Sequence, residues 1–259
     1  MGIIYNSSNG GSVHVNGGSV HVNGGSAYAG GGSVHVSNGN VFVNGQPAGK
    51  TLKQMNLNER KAVPFTGTST IRVDSTLADV RFFRINEENM MAHLHGSAQL
   101  EHPIKLQLQK QGPVVAVSAK YVGSSSTNGL FLDIFVPNRL INSISINSSS
   151  GSIELGNAIQ ANQVDIKTAS GGVRIESKSK VINASTMSGG INVSLQTGIA
   201  SNVTLASMSG SIMVDAARIP TIQFQGGSQS GQVILNHKKR AGMTAYVIAN
   251  TMSGSIIVS

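Results

Sequence analysis

The segment Ser188-Gly189-Gly190-Ile191-Asn192-Val193 carries the pattern that decides the fold, and close copies of it recur between Ser143 and Ser259. The six Ser-Gly pairs have their glycines 20, 18, 21, 21 and 23 residues apart, at Gly151, Gly171, Gly189, Gly210, Gly231 and Gly254. Apolar side chains stand two residues after each glycine (Ile153, Val173, Ile191, Ile212, Val233 and Ile256), four after it (Leu155, Ile175, Val193, Val214, Leu235 and Val258), and seven before it (Ile144, Val164, Ile182, Val203, Phe224 and Val247). This fixed period is typical of a stacked repeat.

The pattern within each copy predicts two strands joined by a sharp corner. Apolar residues at every second position are typical of a strand, and a glycine between two such runs is typical of a turn. One coil of about 20 residues cannot bury its apolar face alone, so neighbouring coils must stack, ~4.8 Å apart. Aromatic residues make up only 4% of the chain and Trp is absent, which favours thin aliphatic layers. We therefore expect an all-β fold, a β-solenoid (parallel β-helix); the alternative is an antiparallel meander or sandwich.

Composition narrows the chemistry. The chain has no Cys, which excludes disulfides and thiolate metal sites. Its net charge of +8 arises at a charged content of only 12%, so it reflects scarce acids more than clustered bases. One compact basic run, residues 237–240, is expected to be a solvated loop, and no specific nucleic-acid partner is expected.

The N-terminus has no basic segment followed by an apolar one, and no apolar run reaches the ~18 residues of a membrane span. We therefore expect neither a Sec-type signal peptide nor a transmembrane helix. The expected location is the cytoplasm, or outside it by a non-Sec route.

The sequence divides into three parts. Residues 1–49 form a Gly/Asn/Ser-rich arm in which Val-His-Val triplets recur every seven residues, and this arm is either a flexible tail or a ribbon that orders against a partner. Residues 50–142 form an irregular β region or opening coils, with a short amphipathic helix expected at 50–62. Residues 143–259 form the regular solenoid.

The order of several segments resembles a known family. These segments are Thr70-Ile71-Arg72-Val73-Asp74-Ser75-Thr76-Leu77-Ala78-Asp79-Val80, the strand ending at His95-Gly96, the strand Leu130 to Val136 followed by Pro137-Asn138-Arg139-Leu140, and Ile144-Ser145-Ile146 followed by repeated Ser-Gly-Ser-Ile. Over about residues 65–259 the chain resembles the DUF4097-like bacterial putative-adhesin family of β-solenoid proteins. The resemblance implies a β-helical fold and cell-envelope or adhesin-type roles, and it supplies no catalytic residues. It also implies a cell-surface or extracellular location, although no membrane anchor is expected from this sequence and the heptad arm departs from common members of the family.

Candidate catalytic and metal-binding groups are sparse. Glu176 and Asp215 fall on one predicted outward row two coils apart, at the outer limit for an inverting glycosidase pair. His14, His21 and His35 share one heptad position, and His93 and His95 share a strand face. No carboxylate is evident near either histidine group, so we expect no metal site. We read Glu176 and Asp215 as isolated, solvated acids, so we expect no catalytic residues. We also expect no cofactor.

The predicted surface points to association. The side chains three residues after each glycine are Glu154, Arg174, Asn192, Met213, Ile234 and Ile257, an outward row that is apolar over its last three coils. The alternative is that residues 46–62 cover this row. The last coil ends at Val258 and is expected to expose an unpaired strand edge. Self-association is therefore predicted through Val13, Val15, Val20, Val22, Val34, Val36, Met213, Ile234, Ile257 and Val258.

The function expected from these features is a non-enzymatic, adhesin-like β-solenoid. It would self-associate into a homo-oligomer or head-to-tail filament, or adhere through its surface. The first alternative is a module that binds a glycan or a cell-surface receptor, and the second is a glycan-active β-helix enzyme.

Overall fold

A computed structural model of the chain describes residues 52–259, except 66–68, 157–158, 197–200, 238–241 and 243. Of residues 1–51 it describes only the backbone of short strands. The chain divides into two compact units, Met1–Lys53 and Gln54–Ser259. The boundary predicted at residue 142 stays a prediction.

The first unit contains short antiparallel strands. They are β1 (Ile3–Asn6), β2 (Ser12–Asn16), β3 (Ser19–Val22), β4 (Gly25–Tyr28), β5 (Val34–Ser37), β6 (Asn40–Val43) and β7 (Gln46–Pro47). Strands β1 to β4 pair in chain order, and β5 to β7 form a second small sheet. His14 and His21 are opposite each other in the ladder between β2 and β3. The heptad therefore contains short strands, as its sequence predicts, and the turns predicted between them lie outside the described residues.

The second unit consists of longer strands followed by a regular alternation. The first group is β8 (Lys53–Pro64), β9 (Thr70–Ser75), β10 (Asp79–Ile85), β11 (Asn89–Leu100), β12 (Gln107–Gln111), β13 (Val114–Ala119) and β14 (Ser125–Pro137). The second group is β15 (Ile141–Ser148), β16 (Ile153–Leu155), β17 (Gln160–Thr168), β18 (Val173–Ile175), β19 (Lys178–Thr186), β20 (Ile191–Ser194), β21 (Asn202–Ser207), β22 (Ile212–Asp215), β23 (Thr221–Ser228), β24 (Val233–Leu235), β25 (Thr244–Thr251) and β26 (Ile256–Val258).

These strands form two sheets, and from β13 onward consecutive strands alternate between them. The ten-stranded sheet has the order β24-β26-β22-β20-β18-β16-β10-β14-β11-β8, and the nine-stranded sheet has the order β12-β13-β9-β15-β17-β19-β21-β25-β23. From β9 to β26 along the repeats, neighbouring coils pair in parallel register. Alternate side chains are buried in one aliphatic cluster. The predicted all-β solenoid is confirmed.

The coils do not stack in chain order at either end of the solenoid. The coil formed by β13 and β14 lies outside the coil formed by β9 and β10, although it follows that coil in sequence. At the other end, β25 and β26 lie between the coil of β21 and β22 and the coil of β23 and β24. The segment with the last strands is therefore internal, and β23 and β24 occupy the ends of their sheets.

The corners explain why glycine recurs. A Cβ added to Gly189 would lie 2.6 Å from the carbonyl carbon of Gly171, and equivalent overlaps occur at the other repeat glycines. The residue three before the glycine is Ser or Thr, and its hydroxyl accepts a hydrogen bond from the glycine N–H at Gly171, Gly189, Gly210 and Gly231. At Gly210 the acceptor is the buried hydroxyl of Ser207, at 2.8 Å. The same hydroxyl donates to a carbonyl of the neighbouring coil, Gly189 O in this case. Each corner is therefore closed by one residue without a side chain and one buried hydroxyl.

Two predictions about this unit are wrong. Residues 50–62 were expected to contain a helical turn, but Lys53–Pro64 is the strand β8, in which Met55, Leu57 and Val63 pack against the core at a period of two or its multiples. Strand β8 is at the edge of the ten-stranded sheet and extends it, which is a different position from a lid over the outward row. The last coil was expected to expose its edge after Val258, but β26 is paired on both sides, with β22 and with β24.

Candidate binding surface

One row of outward side chains crosses the ten-stranded sheet. The parallel ladders align Glu154, Arg174, Asn192, Met213, Ile257 and Ile234 in that order. On the other side of Glu154 the row continues through Arg81, Asp133 and His93. This outer row is polar and charged over most of its length and apolar at the end formed by Met213, Ile257 and Ile234.

The polar end of the outer row is a connected cluster. Arg81 donates two hydrogen bonds to Asp133, from Nε at 2.7 Å and from Nη2 at 2.9 Å, and His95 Nε2 is 2.9 Å from the same carboxylate. The His93 ring stacks on the His95 ring at 4.4 Å, and its Nε2 is 2.7 Å from Asn58 Oδ1. The Asp133 side chain is 10% exposed, so most of its contact with water has been replaced by these donors.

This cluster corrects one expectation. From the sequence alone no carboxylate was expected near His93 and His95, but Asp133 is opposite His93 in the ladder of β11 and β14 and contacts His95. Partial burial, followed by the positive charges of His95 and Arg60, lowers the pKa of His93 below its usual value. Among the described residues, no group of three His, Cys, Asp or Glu side chains is arranged to hold a metal ion.

A shallow groove of about 480 Å³ runs beside the outer row across four coils. Its small residues are those that follow each corner, Ser152, Gly172, Gly190 and Ser211. Its wall is formed by Glu154, Arg174, Asn192 and Met213. The groove follows the solenoid axis and crosses the strands, so it is shaped for an extended molecule.

The two candidate catalytic carboxylates are both engaged. Arg174 donates from Nε to Glu176 Oε1 at 2.9 Å, and this pairing raises the pKa of Arg174. Asp215 accepts hydrogen bonds from Ser194 Oγ at 3.3 Å and from the backbone N–H of Ala217 at 3.1 Å. Ser194 and Asp215 face each other across the ladder of β20 and β22. Glu176 directly follows Ile175, which is aligned with Val193, so the ladders keep the two carboxylates two coils apart with Ser194 between them.

The coil formed by β23 and β24, residues 221–235, differs from every other repeat coil, and we call it the end coil. Its core-facing Val233 and Leu235 are 40% and 55% exposed, whereas their partners in the next strand, Ile256 and Val258, are 0% and 1% exposed. Ile222 and Phe224, the core-facing residues of β23, are only partly buried. The end coil therefore presents an apolar layer that nothing in the described residues covers.

The structure separates the residues predicted to mediate self-association. Met213, Ile257 and Ile234 are adjacent in the outer row, as predicted. Val258 is in the core, away from the surface. The side chains of Val13, Val15, Val20, Val22, Val34 and Val36 lie outside the described residues.

Two sets of residues escaped the sequence analysis. The buried corner hydroxyls were not identified, although the signal was present, because Ser or Thr stands three residues before each repeat glycine: Ser148, Thr168, Thr186, Ser207, Ser228 and Thr251. The exposed core of the end coil was also missed, because Val233 and Leu235 fit the repeat as well as their buried counterparts do.

In the part of the chain that the structure describes, no helix is long and apolar enough to span a membrane. Comparison with curated protein sequences finds no match. Among solved structures, a putative cell adhesion protein from Clostridium sporogenes superposes with a TM-score of 0.50 at 11% identity, over 79% of this chain and 99% of that chain. A putative adhesin from Bacteroides fragilis gives 0.45 at 13% identity, over 80% and 97% of the two chains. A putative lipid binding protein from Parabacteroides distasonis gives 0.33 at 14% identity, over 78% and 97%.

The first of these similarities shows that the fold is shared. The family model described as Toastrack DUF4097 matches residues 4–247, a longer stretch than the resemblance over 65–259 and one that includes most of the heptad arm. The chain therefore belongs to the Toastrack DUF4097 family.

Proposed function

We propose that this chain is a non-enzymatic, adhesin-like β-solenoid that self-associates through its end coil. The observation that supports this proposal is the exposure of Val233 and Leu235 at positions that are buried in the other coils. Burying a large aliphatic side chain fully contributes about 1.5–3 kcal/mol. The edges of β23 and β24 also offer backbone donors and acceptors to an added strand. Association of another chain with the exposed apolar side chains and the strand edges is therefore favourable.

The adhesin-like part of the proposal rests on the family and on the name of the Clostridium sporogenes structure, a putative cell adhesion protein. Such a role would place the chain at the cell surface or outside the cell. The non-enzymatic part is supported by the candidate carboxylates, because Glu176 is paired with Arg174 and Asp215 is hydrogen-bonded to Ser194. No observation favours the glycan-active enzyme.

Two kinds of partner can cover the end coil in an assembly. The first is the heptad arm, whose Val-X-Val strands could add to the edge, as the sequence analysis expects for Val13, Val15, Val20, Val22, Val34 and Val36. The second is the solenoid of another copy. Ile234 is the outer-row residue of the end coil, and Ile257 and Met213 continue the apolar row on the next two strands, so they would extend the contact in either case.

Size-exclusion chromatography with light scattering tests the proposal on the full chain. We expect the molar mass to rise with concentration, and we expect Val233→Lys to shift the protein to monomer with an unchanged circular dichroism spectrum. Met187→Lys is the matched control, because Met187 is similarly exposed at a corner away from the end coil. A full chain that stays monomeric at high concentration, or equal effects of the two lysines, would contradict the proposal.

The groove beside the outer row favours a second candidate function, the binding of an extended glycan. It offers the hydroxyls of Ser152 and Ser211 and the amide of Asn192 along the solenoid axis. A glycan array tests this candidate. Binding should be lost in Asn192→Ala and kept in Thr204→Ala, an exposed site on the nine-stranded sheet.

A further inference from the structure

The end coil is unusual in its charge. Residues 221–236 contain no Asp, Glu, Lys or Arg. Its outward side chains on β23 are Thr221, Gln223 and Gln225, followed by Gly227. Proteins ordinarily protect exposed strand edges with charged residues, Lys above all, because a charge disfavours pairing with another strand. Residues 221–236 lack this protection where the apolar core layer is exposed, and the basic residues Lys238, Lys239 and Arg240 that follow them lie outside the described residues.

The opposite end of the solenoid carries that protection. Its sheets end in β8 and β12, and these strands contain Lys53, Arg60, Lys61 and Lys110. The strand lengths also disagree between the two ends. Within the ten-stranded sheet, β8 has 12 residues and β24 has 3, and within the nine-stranded sheet, β12 has 5 and β23 has 8. Head-to-tail stacking would therefore place basic side chains and unequal strands against the end coil.

A second end coil is the better match. A two-fold axis perpendicular to both sheets would lay β23 antiparallel to β23 of the second copy and β24 antiparallel to β24 of the second copy. The paired strands would be equal in length by symmetry, and each sheet would continue across the junction. Ile222, Phe224, Val233 and Leu235 of one copy would stack on the same residues of the other, as the aliphatic layers do within the solenoid.

We propose that two copies of this chain associate head to head through their end coils, in an isologous contact that closes as a dimer and does not propagate. This inference rests on the proposed function, since it specifies how the self-association occurs. An isologous contact uses the same patch on both copies, whereas a head-to-tail contact generates rings or filaments. The end coil offers about 15 residues a side, fewer than the roughly 20–30 of a standard interface, so we expect dissociation on dilution.

The absence of Cys from the chain allows a sharp test. In an isologous contact a single introduced Cys near the two-fold axis meets its own copy, whereas in a head-to-tail contact it meets a surface that contains no Cys. A strand paired with its own copy is centred on Gln223, Phe224 or Gln225. If the pairing is centred on Gln223, Gln223→Cys places two Cys residues opposite each other, and if it is centred on Gln225, Gln225→Cys does so. If it is centred on Phe224, residue 223 faces residue 225 of the second copy, and only the double variant places two Cys residues opposite each other.

Ile248→Cys is the matched control. Ile248 is opposite Gln225 in the ladder of β23 and β25, so it has the same outward orientation one strand further from the interface. We expect mild oxidation to convert at least one end-coil variant to covalent dimer at concentrations where light scattering reports a dimer, and to leave Ile248→Cys uncoupled. We also expect Leu235→Lys to weaken the dimer at least tenfold, since the substitution enters the interface twice.

The outcomes separate this inference from the function on which it rests. A monomer at all concentrations overturns both. Assembly of the full chain without cross-linking in any of the end-coil Cys variants overturns the head-to-head arrangement and leaves self-association standing. The formation of filaments would also overturn the head-to-head arrangement and leave self-association standing. Loss of assembly in Val20→Lys/Val22→Lys, with the end-coil variants uncoupled, would identify the heptad arm as the partner and overturn the head-to-head arrangement.

Discussion

The corner glycines should tolerate no side chain, and Gly189→Ala measures how strictly this holds. The added Cβ would lie 2.6 Å from the carbonyl carbon of Gly171, whereas ordinary contact begins at 3.4 Å. The carbonyl oxygen of Gly171 is nearer still, so the two coils must move apart by more than about 0.8 Å at this corner, since overlapping atoms repel steeply. The carbonyl of Gly171 and the N–H of Gly189 both bond to the Thr186 hydroxyl, so the movement disturbs two buried hydrogen bonds.

Leaving a buried donor or acceptor unsatisfied costs about 1–3 kcal/mol for each group. Alanine also restricts the unfolded chain more than glycine does, which stabilises the folded state by about 0.4–1 kcal/mol and partly offsets this loss. We therefore expect Gly189→Ala to lower the free energy of unfolding by about 2–4 kcal/mol, or roughly 4–16 °C in Tm for a domain of this size. Thermal and urea unfolding followed by circular dichroism measure both quantities.

Gly190→Ala is the control in the next position. Its added Cβ would meet nothing closer than the Ser211 carbonyl oxygen at 3.4 Å, an ordinary contact. We expect its stability to stay within about 1 kcal/mol of the parent chain. Equal losses from the two alanines would mean that backbone entropy, and not the close approach of the coils, selects glycine at these corners, and the reasoning would be refuted.

Three further predictions follow from the same structure. Val193→Asp should cost several kcal/mol in urea unfolding because a carboxylate would enter an aliphatic layer without a partner, whereas Asn192→Asp, exposed and outward, should change little. Ser207→Ala should lower stability by about 1–3 kcal/mol and Ser209→Ala by less than ~0.5 kcal/mol, because only the first hydroxyl is buried. The lowered pKa of His93 means that the unfolded chain binds a proton more readily, so stability should fall as pH drops below the usual histidine value of 6.5, and His93→Gln should flatten this decline in a series of melting curves.

The regular coils could be predicted from sequence because their signal is local. Each copy places apolar residues at fixed distances from its own glycine, and the pairing partner of each strand is the same position in the next copy. The coil formed by β9 and β10 was predicted only as part of an irregular β region or opening coils, and not as a regular repeat, for a specific reason. Ile71, Val80 and Phe82 hold the expected apolar positions, but Ala78 stands where the other corners have glycine.

The Arg81–Asp133–His95 cluster could not be predicted, because it depends on register between strands distant in sequence. Asp133 is 38 residues from His95 and 52 residues from Arg81. It is brought to both by β14, which is antiparallel to β11 and parallel to β10. Nothing in the local pattern of these strands specifies which residues will be opposite each other. The shared strand face of His93 and His95 could therefore be predicted, but their neighbour Asp133 could not.

The order of the last two coils could not be predicted either, because both carry the same repeat. Their interiors differ in size, however. Strand β25 places Ala245, Val247 and Ala249 in the core, and these small side chains fit a layer covered on both sides. Strand β23 places Ile222 and Phe224 there, and a phenylalanine is accommodated more easily in a layer with a neighbour on one side only.

This order makes the end coil depend on the residues that follow it. Strands β23 and β24 pair only with β25 and β26 in the described sheets, so the end coil has no place to dock until the last strands have joined β21 and β22. We therefore expect the two coils to form one cooperative unit, in which β23 and β24 are held in place by β25 and β26. Because the proposed interface is the outer surface of that unit, any change that loosens β25 or β26 should weaken self-association together with local stability. A substitution on the exposed side of the end coil should weaken self-association alone.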